Sequence, residues 1–96
     1  MTNERFLELC KQKVWEYERD KTNPLKTNPL LEDIFVVWSC KTLQNSKAFL
    51  SVKRAGALYY EFTMNGNDQE IYMDVYKKVE HITLDFEGEK LIRRSK

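Results

Sequence analysis

Asp33-Ile34-Phe35-Val36-Val37-Trp38-Ser39-Cys40-Lys41 is the most apolar run in this 96-residue chain, and its reading decides the fold. Val, Ile, Phe and Trp suit a pleated, buried surface, so the run is expected to form the central strand of a sheet. Side chains alternate along a strand, which puts Ile34, Val36, Trp38 and Cys40 on one face and Phe35, Val37 and Ser39 on the other. Two more strand-like runs follow at turn-length spacing. Residues 47–53 set Ala48, Leu50 and Val52 against Phe49, Ser51 and Lys53, after a turn through Leu43-Gln44-Asn45-Ser46. Residues 57–64 set Leu58, Tyr60, Phe62 and Met64 against Ala57, Tyr59, Glu61 and Thr63, and end at Asn65-Gly66, a hairpin dipeptide. The pattern is an antiparallel meander.

Further along, residues 69–73 read as a fourth strand with Ile71 and Met73 inward, and the spacing from Tyr76 to Val79 predicts a helical turn over 74–80. Ile82, Leu84 and Phe86 alternate with Thr83 and Asp85 as a last strand over 81–86, and Gly88 is expected to end the ordered domain. Before the meander, Phe6, Cys10, Val14 and Tyr17 recur at spacings of four, four and three. They form the apolar stripe of a helix from Thr2 to about Lys21, capped by Thr2 or Asn3 with Glu4 in the first turn. Trp15 lies beside the stripe, where an amphipathic indole commonly borders a core. Between helix and sheet comes a tandem repeat, Thr22-Asn23-Pro24-Leu25-Lys26 and Thr27-Asn28-Pro29-Leu30-Leu31. Its prolines stop the helix, so 22–31 is a connector. The expected fold class is α+β: one domain over 1–88, with the N-terminal helix packed on an antiparallel sheet of four to five strands, and a basic tail over 89–96.

A chain of this length buries roughly 60 to 65% of its unfolded surface and supports one core. With 42% hydrophobic and 32% charged residues and a net charge of +1, the overall balance names no partner, being neither basic enough to commit the chain to nucleic acid by charge alone nor acidic enough to mimic it. The last nine residues carry Lys90, Arg93, Arg94 and Lys96 against Glu89, a charge of +3 that leaves the rest at −2. Cys10 and Cys40 lack CxxC spacing and are expected to be buried thiols in a reducing cytoplasm. No apolar run approaches the roughly 18 residues that span a bilayer.

Catalytic patterns find little to match. A common nuclease fold wants acidic residues on neighbouring strands and a Lys two positions after one Glu, whereas Glu61 is followed two positions later by Thr63. His81 is the single histidine, and the three glycines are too dispersed for a phosphate loop. A non-enzymatic protein without a cofactor is expected. Two surfaces remain as candidates for binding. The turn from Lys41 to Lys47 presents Lys41, Gln44, Asn45 and Lys47 from a rigid base. On the sheet, Phe35, Phe49 and Tyr59 share a face that a helix roughly 27 Å long cannot also cover. Its cover would be a second copy of the chain, the C-terminal segment around Leu91 and Ile92, or a functional partner, in which order a homodimer comes first. The alternative is single-stranded nucleic acid stacked on these rings, with Lys90, Arg93, Arg94 and Lys96 on phosphates.

The runs Val36 to Ala48, Tyr59 to Gly66 and Tyr72 to Glu80 resemble small uncharacterised proteins of Gram-positive (Firmicute) phages and prophages. The likeness is densest from Val37 to Ala48 and departs at the duplicated connector and the tail. It implies the cytoplasm of an infected bacterium and a role in binding a host or phage protein. Its sharpest form is inhibition or redirection of a host nucleic-acid-processing or defence enzyme, as an anti-CRISPR-type or replication inhibitor. The resemblance transfers no catalytic residue, and a metal-dependent hydrolase is the least favoured alternative.

Overall fold

Thr2 caps the opening helix: its Oγ1 accepts the amide of Arg5 at 3.1 Å and its carbonyl accepts that of Phe6. The structure, a computed structural model, describes residues 1–21 and 29–91. Helix α1 spans Asn3–Lys21 and buries Phe6, Cys10, Val14 and Glu18, one residue per turn, so the apolar stripe is a single row facing the sheet. Trp15 borders the core as expected. Its Nε1 donates to the Pro29 carbonyl at 2.9 Å, and Arg19 lies over its ring, which fixes where the chain re-enters after the connector. Residues 22–28 of that connector lie outside the described residues.

A 3-10 turn, Leu31–Asp33, leads into strands β1 (Ile34–Thr42), β2 (Asn45–Val52), β3 (Tyr59–Asn65) and β4 (Glu70–Tyr76). They pair antiparallel in the order β1-β2-β3-β4, so the fold is α+β with a helix on a four-stranded meander. The apolar β1 is therefore an outer strand, and β2 and β3 hold the centre. Its apolarity reflects two apolar faces and not an interior position. The core joins Phe6, Cys10 and Val14 to Ile34, Ala48, Leu50, Val52, Tyr60 and Phe62, with Met64 and Met73 packed at its margin.

One irregularity redirects β1. Val36 pairs with Leu50 but Trp38 pairs with Phe49, leaving Val37 as the extra residue of a bulge. Because strand side chains have a period of two, one inserted residue exchanges the faces of everything beyond it. Trp38 and Cys40, expected beside Ile34 and Val36, instead share the face opposite the helix with Phe49 and Lys47. Cys40 is thereby exposed, against the expectation that both thiols are buried; Cys10 alone is buried, and both are free.

The region after β3 also departs from the pattern. Strand β4 stays extended to Tyr76, and no helical turn forms over 74–80. The pairing with β3 through Tyr59↔Tyr76 supplies ladder hydrogen bonds that outweigh the weak helical spacing. No strand joins the sheet over 81–86. Residues 83–91 make a small hairpin of their own, with one bridge between Leu84 and Lys90 and Gly88 in its turn. Among the described residues, no helix is long and apolar enough to cross a membrane.

The helix is tied down by a buried polar cluster. Glu18 accepts the Tyr60 hydroxyl at 2.5 Å and forms an ion pair with Arg54, from the loop between β2 and β3. Tyr17 meets the Tyr60 ring edge to face at 5.6 Å. Burial, then donation to Glu18, raises the Tyr60 phenol far above its ordinary range, and burial pushes the Cys10 thiol up to about 12.

Candidate functional site

Two hairpin turns meet at one end of the sheet. The first consists of Leu43 and Gln44, closed by the pair Thr42↔Asn45. It is tighter than the four-residue turn read from the sequence, because β2 begins at Asn45. The second, Gly66 to Gln69, follows the pair Asn65↔Glu70. Asn65 organises it: Oδ1 accepts the amides of Asn67 and Asp68 at 3.1 and 3.3 Å, and Nδ2 donates to Asp68 at 2.9 Å. Asn65-Gly66 thus starts a four-residue loop in place of a two-residue turn.

The two turns lock together through Gly66. Its amide donates to Asn45 Oδ1 at 3.4 Å, and a Cβ at this position would stand 2.3 Å from the Gln44 carbonyl oxygen. Glycine is needed here for close approach. The lock holds Leu43 at the tip, where it is 90% exposed with φ 54°. Gln69 in the other turn has the same φ. For an L-residue with a side chain, the left-handed region costs roughly 1–2 kcal/mol. Grooves flank this end on both faces. One of about 550 Å³ is lined by Met1, Lys41, Leu43, Met64 and Ile71, and one of about 300 Å³ by Cys40, Lys47, Thr63 and Tyr72. Lys41, Gln44, Asn45 and Lys47 are all exposed at this end, with Lys41 and Gln44 lining the first groove and Asn45 and Lys47 the second, on opposite faces of the sheet.

The second candidate surface is the sheet face opposite the helix. Trp38 stacks on Phe49 at 5.8 Å between centroids and Phe49 on Tyr59 at 5.4 Å, with interplanar angles of 14° and 7°. The first contact is a directly opposed cross-strand pair and the second a diagonal one. Phe35 lies beyond them, lining a groove of about 470 Å³ with Tyr59, Lys53, Lys77 and Lys78. On the β3 and β4 side the same face turns acidic, since Glu61 pairs with Asp74 and accepts the Tyr76 hydroxyl at 3.4 Å. Glu61 raises the Tyr76 phenol, chiefly by its charge.

Phe35, Phe49 and Tyr59 therefore do share one face, and Trp38, which the sequence had assigned to the other side, completes it. No residue pattern announces the bulge that brings it there. Leu43 was also missed, although an apolar residue flanked by Thr42, Gln44 and Asn45 in a turn was a legible signal. Lys90 is exposed on the small hairpin, remote in the chain from the turn site. Arg93, Arg94, Lys96 and Ile92 lie outside the described residues. Among the described residues no group of three His, Cys, Asp or Glu side chains is placed to hold a metal ion.

The chain belongs to a family of unknown function, DUF6275, whose model matches residues 7–86. No curated protein and no solved structure matches it.

Proposed function

We propose that the protein is a non-catalytic binding protein that docks its hairpin end, with Leu43 at the tip, onto another protein. The observation that supports this is Leu43 itself. A fully solvated turn gains nothing from a leucine at φ 54° that Gly or Asn would not supply with less strain. Contact outside the chain accounts for it: an apolar knob entering a partner's pocket, flanked by Lys41 and Gln44 on one face of the sheet and by Asn45 and Lys47 on the other. Asp68 and Glu70 beside it favour a protein over a phosphate backbone. The likeness to phage proteins directs the search to a host enzyme that processes nucleic acid or defends against it, inhibited or redirected by this contact.

The test compares wild type with Leu43→Gly, first capturing the partner from host lysate and then measuring its affinity. We expect Leu43→Gly to melt at the same or a higher temperature while binding at least tenfold more weakly. Unchanged affinity would sink the proposal. The stacked rings on the sheet favour a second reading, direct binding of single-stranded nucleic acid. Against it, each inner ring face is covered by its neighbour, and Glu61 and Asp74 share the surface. Oligonucleotide binding that weakens by roughly 0.7 log unit per log unit of salt for each phosphate contact would establish that reading instead.

A further inference from the structure

After Tyr76 the chain leaves the sheet as an arm whose apolar residues are not covered by the described residues of the domain. From Lys77 to Leu91 it carries Val79, Ile82, Leu84, Phe86 and Leu91, with Val79 and Phe86 wholly exposed and the other three about half exposed. Yet the arm is shaped. Leu91 donates its amide to Thr83 and Asp85 to Glu89, both at 2.8 Å, and Asp85 Oδ1 accepts the amides of Glu87 and Glu89 at 3.0 and 2.9 Å. A two-stranded hairpin without an apolar support is marginal in water. The radius of gyration, 16.4 Å, exceeds the roughly 12.5 Å of a compact chain this long, in keeping with a flat molecule of 48 × 41 × 19 Å to whose extent the arm adds.

The aromatic face has the converse deficiency: apolar rings and, among the described residues, no cover. Trp38 is 43% and Phe35 37% exposed. Charge links the two surfaces. The arm hairpin carries Asp85, Glu87 and Glu89 against Lys90, a net charge of −2, whereas the groove at Phe35 and Tyr59 is rimmed by Lys53, Lys77 and Lys78. Position links them too, because the arm leaves the sheet after Tyr76, which pairs with Tyr59 at the edge of that groove.

We propose that two copies of this chain form a two-fold dimer by exchanging arms. Each 83–91 hairpin lies on the other copy's aromatic face, with Phe86 against the rings and its carboxylates toward the basic rim. A two-fold axis beside Tyr59 and Tyr76 brings each arm onto its neighbour's groove and makes the contact reciprocal, so the assembly closes at two. The five apolar arm residues leave on the order of 600 Å² in water. The three of them on the exchanged hairpin, Leu84, Phe86 and Leu91, supply about two-thirds of that area; burying it twice, together with the surface it lands on, is comparable with the roughly 1,600 Å² of a standard stable interface. The hairpin end with Leu43 stays free in this dimer, which would present two partner sites.

Light scattering across protein concentration tests the dimer, with circular dichroism as the check on folding. Wild type should have twice the 11.5 kDa chain mass. Phe86→Asp removes no intrachain packing and should give a folded chain whose dimer dissociation constant rises about 30-fold or more. Glu87→Lys should weaken the dimer, and adding Lys53→Glu to it should restore affinity by inverting the pair. A wild type that is monomeric at millimolar concentration, or a dimer indifferent to Phe86→Asp, overturns the proposal. Failure of the double reversal to restore affinity overturns the placement of the arm on this face. None of these outcomes depends on whether Leu43 binds a partner.

Discussion

The Tyr60 hydroxyl donates to the Glu18 carboxylate at 2.5 Å, joining the last turns of the helix to the middle of the sheet. Glu18 also pairs with Arg54, so one buried side chain holds helix, strand and loop together. Replacing Glu18 by Ala leaves a buried hydroxyl and a partly buried guanidinium without it. The expected loss is about 2–3 kcal/mol, at the low end for such a pair because Arg54 keeps a third of its side chain in water. Tyr60→Phe keeps the ion pair and should cost less, about 1–1.5 kcal/mol. Urea unfolding of both variants checks the order; equal losses would show that the hydroxyl, and not the carboxylate, is the anchor.

Stability should fall at alkaline pH. Cys10 and Tyr60 have raised folded values, above ordinary values of 9.0 and 10.0, so the unfolded chain loses these protons first. Their contribution is complete below pH 9 and declines above it, first through the thiol and then, from pH 10, through the phenol. Denaturation midpoints between pH 8 and 11 should drop for wild type and drop less for Tyr60→Phe. A variant curve parallel to wild type would contradict the assignment to Tyr60.

Gly66→Ala should destabilise by about 2 kcal/mol or more, because the new methyl meets backbone oxygen at Gln44 and cannot rotate away. The change should also shift the amide resonances of Leu43 and Gln44 in an NMR spectrum. Shifts confined to the 66–69 turn would mean that the two turns are independent.

Ser46 is buried, and its hydroxyl has no hydrogen-bond partner among the described residues. Ser46→Ala removes that uncompensated group with little change of shape, so thermal stability should rise by up to about 1 kcal/mol. A clear loss of stability would reveal a partner for the hydroxyl.

What the sequence disclosed follows from periodicity. The helix row Phe6, Cys10, Val14 and the alternation in β2 and β3 are set by burial against one core, and each recurs at a spacing that residue types alone display. The bulge at Val37 does not, because Ile34 to Trp38 are apolar on both faces and an inserted apolar residue leaves the composition unchanged. The alternation of Ile82, Leu84 and Phe86 suggests a strand that does not form: Leu84 makes a single bridge and Phe86 stands in a turn, because periodicity carries no information on whether a pairing strand is at hand. Of the site, the turn and the common face of Phe35, Phe49 and Tyr59 were legible, and the place of Trp38 was not. The positive φ of Leu43 and the contact through Gly66 depend on how two distant turns meet, which local pattern does not encode.

The bulge also bears on sheet growth. As one of the two edge strands, β1 offers nine mostly apolar residues whose outward amides and carbonyls would template another strand, the geometry from which fibrils extend. The extra residue at Val37 breaks that row into two short pieces with different twist, so a second β1 cannot zip along its length. The same insertion that delivers Trp38 to the aromatic face thus makes the edge a poor template, so one extra residue adds a ring to a face and blunts a growing edge.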